Sequence, residues 1–127
     1  MTDFDALLNK VPANGAPLSA PWPELGAACC INRFYCEFDS ASGFIGAGYF
    51  EIWPRDFLAT AQAGAEIAYP SSFRFFASDG GGNMFGATAR DGRTVYLSAP
   101  NIGGVEDVRY FETWSDLLLA IAAGDYV

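Results

Sequence analysis

Six residues, Ser78-Asp79-Gly80-Gly81-Gly82-Asn83, hold the densest set of chemically useful groups in the chain: a carboxylate, a carboxamide and three unhindered backbone amides. Glycine amides that converge on one point can bind an anion. A phosphate loop also needs a lysine and the start of a helix. Here no lysine follows, strand-like runs flank the loop, and Asp79 would repel phosphate. As a calcium loop the segment offers Asp79 and Asn83 but lacks the further carboxylates and the bidentate glutamate of an EF-hand. A structural reading accounts for every residue: Asp79 accepts backbone N–H bonds while the glycines supply positive φ in a tight turn.

Elsewhere the catalytic repertoire is thin. Histidine is absent, which removes Ser-His-Asp and Cys-His arrangements and the commonest metal ligand. Cys29, Cys30 and Cys36 cannot complete a four-thiolate zinc site and show no CxxC spacing; three thiolates with one carboxylate remain conceivable. Set among aromatics, these cysteines read as buried structural thiols. A glycosidase-type carboxylate pair could be drawn from the 15 acids, yet nothing in their spacing fixes two across a cleft. The expectation is no catalytic residue, no metal site and no cofactor. The doublet Glu106-Asp107, after Asn101-Ile102-Gly103-Gly104, is either a solvated loop or a contact for a basic partner. Trp22, between two prolines, is either an exposed sticky residue or, as expected of a large aromatic, packed back onto the core.

Size and charge narrow the function classes. The 127 residues suit one domain, and 51% hydrophobic with 16% aromatic residues supply an ordinary core without metal or disulfide staples. A net charge of -8 disfavours phosphate backbones and anionic lipid surfaces. Residues 101–127 carry Glu106, Asp107, Glu112, Asp116 and Asp125 against Arg109, an acidic stretch that either attracts a basic protein or simply keeps the chain soluble. The odd cysteine count, the acidic first residues and the lack of an apolar run of about 18 residues point to a reducing, cytoplasmic location without a signal peptide or membrane span.

The elements that must position these groups are read from periodicity. Phe4, Leu7 and Leu8 allow at most two helical turns, and four prolines with Gly15 make residues 11–23 an extended connector without regular structure. Residues 1–22 thus form an N-terminal extension and 23–127 the domain proper. Ala27, Cys30, Ile31, Phe34, Tyr35 and Phe38 share one helical face, although a strand with Asn32 as its polar exception also fits. Residues 42–52 form a strand weakened early by glycines 43, 46 and 48; Trp53 closes it, and Pro54 opens a helix that Gly64 ends. Alternation over residues 73–97 gives a three-stranded meander, with Phe73, Phe75 and Ala77 on one face. Thr113 and Asp116 form a helix-capping pair, Trp114, Leu117, Leu118, Ile121 and Ala122 an apolar stripe, and Gly124 the stop. The sum is α+β: one antiparallel sheet of about four to six strands covered on one face by helices.

The order Tyr49-Phe50-Glu51-Ile52-Trp53-Pro54, a helix, Phe76-Ala77-Ser78-Asp79-Gly80-Gly81-Gly82-Asn83-Met84-Phe85, Val95-Tyr96-Leu97 and Phe111-Glu112-Thr113-Trp114-Ser115-Asp116-Leu117-Leu118 resembles the SUKH superfamily, also called Smi/Knr-like. The likeness covers the chain from Tyr49 onward; the cysteine region and the proline-rich stretch match no motif. It implies an α+β fold and a non-catalytic, bacterial, cytoplasmic module that binds and neutralises a cognate toxin domain, often a nuclease. The alternative it implies is a regulatory or scaffold domain for an endogenous cytosolic protein. Asp79, Gly80, Gly81 and Gly82 match the family's turn, Trp53 and Trp114 its strand and helix aromatics, all in structural roles. Contacts to a basic toxin domain are expected on exposed surface, at Asn83, Glu106, Asp107 and Glu112. A small enzyme would instead need a deep pocket lined by two or more acids.

Overall fold

The computed structural model describes residues 8–12, 21–26 and 29–127. Among these, seven strands pair antiparallel in sequence order to form one open sheet: β1 (Asn9–Pro12), β2 (Phe38–Ile45), β3 (Gly48–Ile52), β4 (Arg74–Ser78), β5 (Asn83–Arg90), β6 (Arg93–Pro100) and β7 (Arg109–Phe111). Three helices pack against it, α1 (Cys30–Glu37), α2 (Leu58–Ala65) and α3 (Trp114–Ala123), which establishes the α+β class.

Seven strands exceed the four to six expected, for two local reasons. Residues 42–52 are not one weak strand but the heart of a hairpin: Ala41 pairs with Ile52 and Ile45 with Gly48, and Gly46-Ala47 turns the chain, with Gly46 at φ +59°. Val11 and Pro12, expected in an irregular connector, belong to β1, an edge position where a proline without an N–H is tolerated. A 3-10 turn, Pro23–Leu25, adds further regular structure at the connector's end. Residues 13–20 and the expected helix at Phe4 and Leu7 lie outside the described residues; Leu8 is buried.

The helix expected over residues 23–38 is confined to α1. Gly26, at φ +90°, separates it from the 3-10 turn, and Phe38 is already extended. Asn32, the polar misfit, is wholly buried on α1. Its side chain donates to the carbonyls of Trp22 (2.8 Å) and Gly26 (2.9 Å) and accepts from the Trp22 N–H (3.2 Å). Those three bonds hold residues 22–26 against the body, and Trp22 itself packs edge-on to Tyr35. Breaking them leaves buried donors and acceptors unpaired, at about 1–3 kcal/mol each.

The sheet's principal core lies under α3. Thr113 caps that helix by accepting from the Asp116 N–H at 3.0 Å, and Gly124 ends it in the left-handed conformation, as its sequence signals. Leu117, Leu118 and Ile121 are fully buried, and the Trp114 ring meets Phe50, Phe76 and Tyr96 with centroids 5.3–6.1 Å apart. A bulge between Phe75 and Ala77 breaks the alternation expected in β4. Phe75 packs against Tyr69 while Phe76 packs against Trp22 and Trp114, so both neighbours are buried. The β2–β3 turn docks on the end of α3, where the Ala47 N–H donates to the Ala122 carbonyl at 2.9 Å and Gly48 abuts Ile121 with no room for a Cβ.

α2 packs against the sheet chiefly at β4. A 3-10 turn, Arg55–Phe57, follows Pro54, and the helix runs one residue past Gly64. β3 pairs with β4 only at Glu51 and Ile52, leaving the first half of β4 without a strand neighbour on that side. Gln62 of α2 fills the gap: its amide nitrogen donates to the Phe73 carbonyl (2.8 Å) and its oxygen accepts from the Phe75 N–H (3.5 Å). Among the described residues no helix is long and apolar enough to cross a membrane.

Candidate protein-binding end of the sheet

The glycine turn connects β4 to β5 at one end of the sheet. Asp79 organises it. Its Oδ1 accepts from the N–H groups of Gly81 (2.8 Å) and Asn83 (3.2 Å), and its Oδ2 from the Asn83 side chain (3.0 Å) and the Tyr126 hydroxyl (2.8 Å). Burial opposes the charge on Asp79, but the bonds from Asn83, Gly81 and Tyr126 outweigh it and hold the carboxyl below its ordinary range. Burial and the facing carboxylate together push the Tyr126 hydroxyl up to about 12. The turn therefore directs its amides at its own carboxylate, the arrangement its residues suggest, although only Gly80 of the three glycines has positive φ (+77°). Gly81 and Gly82 serve a neighbour: their carbonyls accept from the side chain (3.3 Å) and N–H (2.7 Å) of Asn101. The next loop is thereby docked onto the turn.

That loop carries Glu106 and Asp107, exposed in a 3-10 turn, Val105–Asp107, with Asp107 accepting from the Gly104 N–H at 3.1 Å. The Tyr69 hydroxyl donates to the Pro100 carbonyl at 2.6 Å, and burial, with the charges of Asp107 and Glu106, raises its pKa. Asn83 and Asp107 line one shallow hollow with Ser98, Pro100 and Ile102. Three of the four expected contact residues, Asn83, Glu106 and Asp107, thus share this end, although the Asn83 side chain is engaged with Asp79. Glu112 does not join them. It lies at the opposite end, 3.3 Å from Arg93 beside the β5–β6 turn. Trp53 and Trp114 are both buried; the Trp53 N–H donates to the Phe76 carbonyl at 2.8 Å, and its own carbonyl accepts from Tyr35 at 2.7 Å.

Strand register sorts the basic residues, whereas acids lie at both ends, Glu24, Asp91 and Glu112 among them with the arginines. Arg55, Arg74, Arg90 and Arg93 lie toward the end away from the glycine turn, and Lys10 and Arg33 lie on or near β1. Among the described residues Arg109 is the one basic side chain near the turn end, and Asp125 occupies it at 3.0 Å. Exposed Ile102 and Val105 stand among the acids there.

A groove of about 510 Å³ runs from this end along α2, walled by Trp53, Phe57, Ala61, Tyr69 and Met84 and floored by Glu51 and Ser78, with Gly80, Gly81 and Asn101 at its mouth. Among the described residues Glu51 is the single carboxylate that lines it. Among the described residues no group of three or more His, Cys, Asp or Glu side chains could hold a metal ion. No family model, curated protein or solved structure matches the chain. Sequence reasoning overlooked Glu51, Tyr69, Asn101 and Tyr126. Tyr126 is separated from Asp79 by 47 positions, so no local spacing could signal their bond.

Proposed function

We propose that this chain is a SUKH-like, non-catalytic binding module that neutralises a basic bacterial toxin domain, of the nuclease type, by occupying its surface in the cytosol. The observation that carries the reading is the placing of the basic residues away from one end of the sheet: Glu106 and Asp107 stand exposed there with Ile102 and Val105, and the one arginine near them is already paired with Asp125. A nuclease presents basic residues to nucleic acid, so an acidic end steers encounter with it and competes with its substrate's phosphates. The apolar side chains amid the acids supply the area that holds the complex once formed. Three free cysteines suit a reducing compartment.

The test is binding and growth protection with the toxin domain encoded beside this gene. Reversing Glu106 and Asp107 to lysine is expected to slow association about tenfold and flatten its salt dependence. Absence of both binding and protection with the unaltered chain would refute the reading.

A further inference from the structure

We infer that the groove between α2 and the sheet receives an arginine side chain of the protein partner, a reading that rests on the proposed function and assigns its central contact. The side walls are mostly apolar and aromatic: Phe57 is 42% exposed and stands edge-to-face with Trp53 at 5.4 Å, and Ala61, Ala65, Ala68, Met84 and Tyr69 line the groove beside them, with Thr60 as a polar neighbour. The floor carries Glu51. One of its oxygens lies 3.4 Å from the Tyr49 hydroxyl, and among the described residues no lysine or arginine nitrogen comes within 4.0 Å of its carboxylate. Among the described residues no basic side chain lines the groove.

A negative group half-withdrawn from water, without a cation in a cleft of rings and methyls, matches one side-chain chemistry. The methylenes of an arginine pack on the walls, its planar guanidinium lies against an aromatic face, and its paired N–H groups meet the carboxylate. A lysine ammonium has neither the plane for stacking nor the fork for two parallel bonds. An apolar side chain would leave Glu51 desolvated and unpaired. The groove opens beside Gly80, Gly81 and Asn101, where the acidic end begins, so one partner surface can reach both. The side chain in the groove would fix the register of a complex that the acids attract.

Acetyl-arginine-methylamide titrated into the full chain, followed by NMR, is expected to shift the Trp53 indole and Met84 methyl signals. The neutral citrulline analogue is expected to leave them in place, and Glu51→Gln and Phe57→Ala each to weaken the arginine response about tenfold. Equal response to citrulline, an unchanged affinity in Glu51→Gln, or no shift at these signals overturns the inference. The two readings fail separately. If Glu51→Gln still binds the toxin domain at full affinity while the Glu106/Asp107 reversal does not, the groove assignment falls and the function stands. If the arginine probe docks but no toxin binds, the function falls.

Discussion

At the end of the sheet that carries Arg90 and Arg93, side chains tie a separate piece of chain to the body: Asn32 holds the backbone of residues 22–26, Thr94 donates to the Leu25 carbonyl at 2.6 Å, and Arg74 meets Glu24 at 2.7 Å. At the end that carries the glycine turn, one carboxylate gathers nearby backbone and a distant tyrosine around itself, and the remaining acids face solvent. The first end invests its polar groups in anchorage and pairs Arg74 with Glu24 and Arg93 with Glu112. The second closes its own turn and leaves its net charge free. On the proposed function, stability and recognition fall to different residues, and each can be altered with limited effect on the other.

The sharpest test of that division is Asn32→Leu. Removing three buried bonds at the anchored end is expected to cost about 3 kcal/mol in chemical unfolding while leaving partner affinity unchanged. Gly48→Ala strikes the other end through packing: the added methyl would overlap the Ile121 carbonyl and crowd its Cγ2, with an expected loss of about 2 kcal/mol. Asp79→Asn should cost about 1 kcal/mol at neutral pH. It also changes the acid limb. Because the folded carboxyl titrates below its ordinary value of 3.8, its contribution is full above that value and disappears as the pH falls through the lower folded one. Stability measured from pH 6 downward should therefore fall less steeply in the variant. The smallest change is expected for Glu112→Gln, whose partner Arg93 is 68% exposed; unfolding should shift by less than about 0.5 kcal/mol. A loss of partner binding in that variant would show that recognition extends to the anchored end.

What the sequence disclosed follows from the range of each signal. The meander and α3 were legible because alternation, the Asp-Gly-Gly-Gly turn, the Thr113 cap and Gly124 act within a few positions of one another. The extra strands escaped because Gly46-Ala47 lacks an Asn-Gly or Asp-Gly turn signature and because a proline argues against a strand unless its edge position is known. α2 was legible from Pro54 and Gly64, but not the strand it meets, since periodicity reports only which side of a helix is apolar. The site was legible in part. Asp79 with its glycines and the Glu106-Asp107 doublet stood out by composition, whereas the separation of Glu112 and the groove around Glu51 arise from register between strands.

Gln62 has one further consequence. A helix that lends its carboxamide to β4 leaves no row of free amides and carbonyls in the middle of the sheet, and the outermost strands, β1 and β7, are four and three residues long, the first ending in proline. Extending the sheet with a foreign strand finds little purchase on such a molecule, whether the intruder is a binding peptide or another copy on the way to a fibril.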